Sequence, residues 1–180
     1  MNSRQRVLAA LRREPVDRTP VCNPTSVATV ELMDLVDAPF PDANRVPELM
    51  ARLAATSYTE LGFDSIMPVF SIIQESSALG CKLQWEQKDN WPTVKMREPI
   101  FQDVEDIRIP GDFLTHQDTR CVIEAIKILR KEFGNEVAII GIQALQTVIE
   151  ATEHSFFARL VLLEVRRSGR VHGNTSGTRE

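Results

Sequence analysis

Six polar residues follow short apolar runs, at places where strands are expected to end. They are Asn23, Thr25 and Ser26 after Val21-Cys22, and Ser71, Gln74 and Glu75 after the run at 65–70. Hydroxyl, amide and carboxylate groups at strand ends can bind a substrate, and in α/β folds such positions form the rim of the active site. Each also has a structural interpretation, since Thr25 or Ser26 could cap the next helix and Glu75 could be a solvated glutamate in a first helical turn. The residue types leave both interpretations open.

Three apolar runs separated by helical patterns predict a parallel sheet. The runs lie at about 19–22, 65–70 and 137–142, and Gln143 follows the third. The third run is almost wholly apolar, as in strands that are buried on both faces of a sheet. Strands that alternate with helices fit either a doubly wound sheet or the beginning of a (β/α)8 barrel. Both folds place their chemistry at the carboxyl ends of the strands, so the six polar residues remain candidates in either case.

Helical periodicity predicts the elements between these strands. The first helix is expected to have Ser3 as its cap and to end at Pro15, and the second is expected over 26–36. Pro47 is expected to open a third helix, because proline is tolerated at the first helical position, and Gly62 is a suitable residue to follow its end.

A fourth helix and a hairpin complete the predicted elements. The helix has a four-three-four apolar spacing and stops at Gly134; its apolar positions are Val122, Ile126, Leu129 and Phe133. Residues 82–98 alternate polar and apolar side chains around an Asp-Asn-Trp-Pro turn, which predicts a β-hairpin with Trp85 in its core and Trp91 at the turn.

Composition and charge limit the class of protein. The 180 residues carry a net charge of −4, which disfavours nucleic acid and anionic membranes as partners, and no apolar stretch is long enough to span a bilayer. Residues 158–180 carry a net charge of +3 and residues 1–157 a net charge of −7. We therefore expect a cytoplasmic protein with a folded part at 1–142, a helix of separate origin at 143–165 and a polar, disordered tail at 166–180.

The three cysteines do not form a recognisable metal or disulfide motif. Cys22, Cys81 and Cys121 are widely spaced and odd in number, and no CxxC pair is present. The expected state is three buried free thiols in a reducing compartment. Cys22 is the one thiol beside the candidate site, and a buried packing role is the prediction for it too.

Four segments together resemble the uroporphyrinogen decarboxylase-like superfamily, and within it the cobalamin-dependent methyltransferases. The segments read RVLAALRREPVDRTPV, ELGFDSIMPVFSIIQESSALGC, DNWPTVK and EVAIIG, and the resemblance covers about 3–141. It implies the N-terminal part of a (β/α)8 TIM barrel, with about three parallel strands and a hairpin excursion. It also implies a parent reaction in which a methyl group passes from a methylated corrinoid protein to a thiol such as coenzyme M. Asn23, Thr25 and Ser26 would then line a pocket for a sulfonate or a corrinoid edge, and Glu75 would be a metal or thiol-proximal carboxylate.

Two departures separate this chain from the decarboxylases of the superfamily. Those enzymes carry an arginine-rich motif after the first strand, whereas CNPTSVATVE has no basic residue. They also carry an aspartate at the position that Ser71 occupies here. A tetrapyrrole with many carboxylates requires cationic partners, so uroporphyrinogen decarboxylase is the weaker alternative.

One departure also separates the chain from the methyltransferases. The resemblance to these methyltransferases implies a zinc ion held by a His-x-Cys pair and a distant Cys. In this chain none of His116, His154 and His172 has a cysteine two residues after it. We therefore expect a truncated or frame-shifted member that binds no zinc itself and exposes a sheet edge along 137–142, through which it could self-associate or bind a partner chain. The alternative from another class is a non-catalytic remnant that acts as an interaction module, so the sequence leaves open whether the chain is an active enzyme.

Overall fold

The computed structural model describes residues 1–71, 73–85, 88–95, 100–101 and 108–141. The predictions for 143–165, 166–180, Gln143, His154 and His172 lie outside the described residues. Five α-helices and four short strands occur in the described part, together with a single 3₁₀ turn at Asp42–Asn44. Their order is α1 (Ser3–Leu11), α2 (Val30–Leu35), α3 (Pro47–Thr59), β1 (Ser65–Ile66), α4 (Ile73–Ala78), β2 (Leu83–Gln84), β3 (Thr93–Val94), α5 (Gln117–Phe133) and β4 (Ala138–Ile139). None of the helices in this part of the chain has the length and apolarity needed to cross a membrane.

The main sheet consists of β1 and β4, which pair in parallel with Ser65 opposite Ala138 and Ile66 opposite Ile139. Both strands are shorter than the predicted runs at 65–70 and 137–142. In β1 the reason is Pro68, which has no N–H to give to a ladder. The α/β class is therefore confirmed, with helices between two parallel strands.

The predicted first strand at 19–22 is wrong, because the structure has no regular strand there. Val21 is joined to Asp64 by a single backbone hydrogen bond, in which the Asp64 N–H donates to the Val21 carbonyl at 2.7 Å. Pro20 lies within the segment and has no N–H to donate to a ladder, and the Val21 N–H donates to the Asp64 carboxylate at 2.8 Å. The prediction that Cys22 is buried is also wrong, because Cys22 is exposed.

The helix ends are set by capping side chains. Asn2, not Ser3, caps α1: its Oδ1 accepts from the Gln5 N–H at 2.8 Å, and the Gln5 Oε1 accepts from the Asn2 N–H at 3.1 Å. α1 ends at Leu11, four residues before Pro15. α3 begins at Pro47 as predicted, and Gly62 follows its end with a left-handed φ of +68°.

The core lies between α3, α5 and the parallel strands. Met50 and Leu53 of α3, Leu129 of α5, and Ile66 of β1 are wholly buried there. The spacing of apolar residues in α5 predicted its buried face, and Gly134 caps its end through a hydrogen bond to the Arg130 carbonyl at 3.2 Å.

The predicted hairpin is present, and a second, smaller core lies against it. β2 and β3 are antiparallel, with Leu83 opposite Val94. Cys81 and Val94 are buried there with Ile73 of α4, and Trp85 packs against them. The Arg45 guanidinium lies over the Trp85 ring at 5.0 Å from its centroid, which also ties the hairpin to the loop before α3.

Candidate functional site

A cavity of about 540 Å³ lies at the carboxyl end of β1. Its wall is formed by the residues that follow β1, by α4, by the loop at 25–26, by the hairpin and by one face of α5. Five of the six polar residues singled out from the sequence line it, namely Thr25, Ser26, Ser71, Gln74 and Glu75. We refer to this space as the rim cavity.

The loop at 23–26 is held by a local turn. The Asn23 Oδ1 accepts from the Thr25 N–H at 3.0 Å and from the Thr25 hydroxyl at 2.7 Å. Asn23 therefore does not line the rim cavity, but its side chain fixes the residue that does. The prediction that Thr25 or Ser26 caps the next helix is wrong, because Thr29 is the cap of α2 and its hydroxyl accepts from the Leu32 N–H at 3.3 Å.

Ser71, Gln74 and Glu75 reach the cavity because α4 begins immediately after the loop that follows β1. The Gln74 amide donates to the Ser71 hydroxyl oxygen at 3.3 Å, and Gln74 is only 4% exposed. Glu75 lies in the first turn of α4, where a negative charge is favoured by the helix dipole.

The rest of the wall is apolar, and sequence reasoning did not place it. Met67 and Phe70 follow β1, whereas Val122, Ile123 and Ile126 lie on α5. The apolar spacing of Val122 and Ile126 was visible in the sequence, but it did not show that this face of α5 borders a cavity. Which helix face meets an open space depends on tertiary packing.

Aromatic rings connect the hairpin to the cavity wall. The Phe40 ring lies 5.7 Å from the Phe70 ring and 5.3 Å from the Trp91 ring, and both contacts are tilted. Phe70 and Trp91 line the rim cavity, whereas Phe40 is buried behind them. Such tilted pairs are favourable beyond the area that they bury, so Phe40 positions two walls of the cavity.

The described wall of the rim cavity carries little charge. Among the described residues that line the rim cavity, Glu75 is the single charged one, and none is basic. An anionic ligand is stabilised in a partly desolvated site by a cationic partner. The described lining residues offer no such partner.

Zinc does not fit the described residues. No group of three or more His, Cys, Asp and Glu side chains in the described ranges could hold a metal ion. Cys81 and Cys121 are buried. Burial, with smaller contributions from Asp118 and Glu48, raises the pKa of the Cys121 thiol to about 12. The thiolate is the form that binds a metal ion, so a raised pKa makes Cys121 a poor ligand.

An ion-pair network lies at the other end of β1. Asp64 directly precedes the strand and is wholly buried. Its carboxylate accepts from Arg6 Nη1 at 2.7 Å, from Arg18 Nη1 at 2.7 Å and Nη2 at 2.9 Å, and from the Val21 N–H at 2.8 Å. Arg6 also binds both carboxylate oxygens of Asp17, at 2.7 and 2.9 Å. The network joins α1, the PVDRTP loop and β1.

A family model and several known proteins match this chain. The model of the family described as uroporphyrinogen decarboxylase (URO-D) matches residues 2–144. A methylcobamide:CoM methyltransferase of Methanosarcina barkeri is 38% identical over 136 residues, which are 76% of this chain and 40% of that protein. A methylated-thiol–coenzyme M methyltransferase of Methanosarcina mazei is 35% identical over 78% of this chain and 37% of its own length. A uroporphyrinogen decarboxylase of Geotalea uraniireducens is 33% identical over 76% of this chain and 39% of its own length.

A solved structure supports the same relationship. The structure of a methyltransferase from Methanosarcina mazei superposes with a TM-score of 0.80 and 33% identity, covering 92% of this chain and 50% of that one. The chain thus spans about 40% of the length of the curated relatives and half of the solved one. The family match covers most of the chain and confirms the resemblance seen in its sequence, so this chain belongs to the uroporphyrinogen decarboxylase family.

Proposed function

We propose that this chain is part of a corrinoid-dependent methyltransferase and that the rim cavity is the substrate side of its methyl-transfer site. The parent reaction is the transfer of a methyl group from a methylated corrinoid protein to a thiol such as coenzyme M. Relatives named as methylcobamide:CoM methyltransferases support this assignment, at 38% and 34% identity.

The observation that carries the proposal is the absence of basic side chains from the described wall of the rim cavity. A uroporphyrinogen would bring many carboxylates, each of which requires a guanidinium, an ammonium or several N–H donors. Ser71 and the loop at 25–26 offer hydroxyls instead. The wall suits a small ligand with little negative charge, and this favours methyl transfer over decarboxylation.

The proposed chemistry requires a dry, shaped site. A methylated corrinoid would supply the methyl group: the thiolate lone pair would form the new sulfur–carbon bond, and the electron pair of the broken cobalt–carbon bond would stay on cobalt. The thiol proton must leave before this step. Removing water from a thiolate raises its nucleophilicity, and the apolar wall formed by Met67, Phe70 and Ile126 excludes water on its side. Ser71 and Gln74 are paired with each other and would orient the substrate.

Zinc activates the thiol in the methyltransferases that the sequence resembles. Because the described residues provide no ligand set for it, the proposal assigns to them binding, orientation and exclusion of water only. We further propose that the corrinoid protein approaches the open mouth of the rim cavity, where Leu114 and Trp91 are 67% and 45% exposed. Exposed apolar side chains beside a cavity are typical of interaction sites. Self-association through the edge of the β1–β4 sheet stays a prediction, and sedimentation of the purified chain would test it.

A chimera tests the proposed function. The segment of the Methanosarcina barkeri relative that matches this chain is replaced by residues 2–144, so that the remainder of the relative supplies its own part of the site. We expect methyl transfer from methylcobalamin to coenzyme M, followed by the change in corrinoid absorbance. The matched control carries the corresponding segment of the Geotalea uraniireducens decarboxylase and should not transfer. A folded chimera that fails to transfer methyl groups would contradict the proposal, whereas Ser71→Ala and Gln74→Ala should weaken thiol binding in an active one.

Zinc analysis of the 180-residue chain separates the complete enzyme from the partial one. If the chain binds one zinc per molecule and turns over methylcobalamin with coenzyme M, it assembles a thiol-alkylation site by itself. If it binds none and does not turn over, its role is restricted to the wall of the site or to a non-catalytic interaction.

A further inference from the structure

Three residues in the described part of the chain have buried polar side-chain atoms without a hydrogen-bond partner. They are Asn44, Ser65 and Thr119. Such atoms are uncommon in folded proteins because they lose their bonds to water and gain none in return. Of these three residues, Thr119 alone lines the rim cavity. The stability lost at Thr119 therefore has a functional explanation, which is a ligand that completes its hydrogen bonding.

The hydroxyl of Thr119 has no role in capping its own helix. Thr119 lies in the first turn of α5 and is only 9% exposed. The cap of α5 is His116, whose Nδ1 accepts from the Asp118 N–H at 3.4 Å. A threonine near a helix start commonly earns its place by capping, and that explanation does not apply here.

Two other hydroxyls on the same wall are engaged within the protein. The Thr25 hydroxyl donates to the Asn23 Oδ1 at 2.7 Å, and the Ser71 hydroxyl oxygen accepts from the Gln74 amide at 3.3 Å. The Thr119 hydroxyl has neither a donor nor an acceptor among the described residues. Compared with these two, it keeps its full hydrogen-bonding capacity for a ligand.

The first turn of α5 is fixed against α4. Asp118 is buried, and its carboxylate accepts from the Ser77 hydroxyl at 2.5 Å. Thr119 thus stands on a backbone that is already in place. Threonine in a helix populates two χ1 rotamers, so rotation about one bond can present the hydroxyl to the cavity while the backbone stays still. Little ordering is then needed on binding.

The neighbours of Thr119 on the cavity wall are apolar. Val122 and Ile123 lie three and four residues further along α5, on the same helix face, and both line the rim cavity. A ligand group that reaches Thr119 is therefore surrounded mainly by hydrocarbon on this side. In such surroundings a polar group is stabilised by the hydroxyl, and an apolar group leaves the hydroxyl unpaired.

We infer that Thr119 is a specificity-determining residue of the rim cavity, whose hydroxyl hydrogen-bonds a polar group of the substrate thiol separate from the reacting sulfur. The inference deepens the proposed function, on which it rests for the identification of the cavity as the thiol side of methyl transfer. A thiol sulfur forms only weak hydrogen bonds, so the sulfur is the poorer partner. The substrate class is a short thiol with a second, polar end, and a plain alkanethiol is disfavoured.

Two thiols of nearly the same shape test the inference on the full 180-residue chain. 2-Mercaptoethanol ends in a hydroxyl where 1-propanethiol ends in a methyl group. NMR of ¹³C-labelled threonine methyl groups follows weak binding, and the Thr25 methyl group on the same wall reports it in every variant. Thr119→Val should lower the ratio of mercaptoethanol to propanethiol affinity roughly 2- to 12-fold, the range of one net hydrogen bond. Thr119→Ser keeps the hydroxyl and should keep most of the ratio.

A matched control separates binding from folding. Thr56 is buried in α3, its hydroxyl donates to the Leu53 carbonyl at 2.6 Å, and it is not among the residues that line the rim cavity. Thr56→Val should lower the midpoint of urea unfolding and leave the affinity ratio unchanged. Thr119→Val removes no internal hydrogen bond, so it should leave the midpoint unchanged or raise it while lowering the ratio.

The outcomes are separable from those of the chimera. An unchanged affinity ratio in Thr119→Val, a loss of stability as large as that of Thr56→Val, or no binding of either thiol at the highest soluble concentration would overturn the inference. If the chimera transfers methyl groups while the ratio does not respond to Thr119→Val, the inference alone fails. If the ratio responds while the chimera is inactive, the proposed function fails and the binding role of Thr119 stands.

Discussion

Replacing Asp64 with asparagine should cost more stability than any other single change of charge in the described part of the chain. Asp64 is wholly buried, and it accepts hydrogen bonds from Arg6, Arg18 and the Val21 N–H. An amide keeps the shape but loses the charge, and its NH₂ group would face guanidinium donors. Arg6, which is itself buried, would be left with part of its charge uncompensated. Removing one partner of a buried pair typically costs about 3 to 5 kcal/mol.

The pKa of Asp64 gives a second measure of the same interaction. Burial raises this pKa, but hydrogen bonds from Arg18, Val21 and Arg6 lower it, and the result is a decrease from 3.8 to about 2. At about 1.4 kcal/mol for each pH unit of difference, the ionised carboxylate contributes roughly 2 kcal/mol. Because the folded pKa is the lower one, this contribution is complete above about pH 4 and is lost as the pH falls through about 2. Stability of the Asp64→Asn variant should therefore fall less steeply in this acid range.

Urea denaturation followed by circular dichroism measures the effect. Asp34→Asn is the control, because Asp34 forms an exposed pair with Lys88, and such pairs contribute at most about 1 kcal/mol. In an Arg18→Ala background, Asp64→Asn should cost less than in the native chain, since one of its partners is already absent. The reasoning is refuted if Asp64→Asn lowers the free energy of unfolding no more than Asp34→Asn does.

Three other changes test the fold and its thiols. Leu129→Ala should lower the free energy of unfolding, measured in urea, by about 2 to 5 kcal/mol, because Leu129 is wholly buried between helices and sheet. A loss below about 1 kcal/mol, as is usual for substitutions at the surface, would contradict this packing. Gly62→Ala should cost about 1 kcal/mol through its φ of +68° alone, since no atom lies within 4 Å of the added Cβ, and Gly62→Asn should cost less. An aromatic disulfide reagent near neutral pH should react promptly with Cys22 in the native chain, because Cys22 is exposed. It should react with Cys121 only on unfolding, because burial raises the pKa of the Cys121 thiol to about 12. Prompt reaction of two thiols would argue against this arrangement.

The elements with strong periodicity could be predicted from the sequence. The apolar face of α5, the opening of α3 at Pro47 and the antiparallel hairpin are all present as expected. In each case the local pattern and the tertiary packing favour the same structure. The strand predicted at 19–22 is wrong because Pro20 has no N–H donor, and the Val21 N–H donates to the Asp64 carboxylate instead of to a neighbouring strand.

The composition of the rim cavity could be predicted only in part. The rule that chemistry lies at the carboxyl ends of strands singled out Ser71 and Gln74, and these two side chains are hydrogen-bonded to each other on the cavity wall. The contribution of α5 could not be predicted, because a helix face borders a cavity only once its neighbours are in place. Asp64 was not singled out either, since Arg6 and Arg18 are 58 and 46 residues away from it in the sequence.

The two polar sites lie at opposite ends of one short strand, and this separates stability from binding. Asp64 precedes β1, whereas Met67 and Phe70 follow it and line the rim cavity. In (β/α)8 barrels the face at the amino ends of the strands serves stability and the opposite face serves chemistry. A change at Asp64 should therefore lower the fraction of folded molecules without altering the rate at which the folded ones transfer methyl groups in the chimera. If Asp64→Asn, placed in the chimera and measured in the cold where it is still folded, altered the rate of methyl transfer per folded molecule, the two ends of β1 would be coupled and this division would not hold.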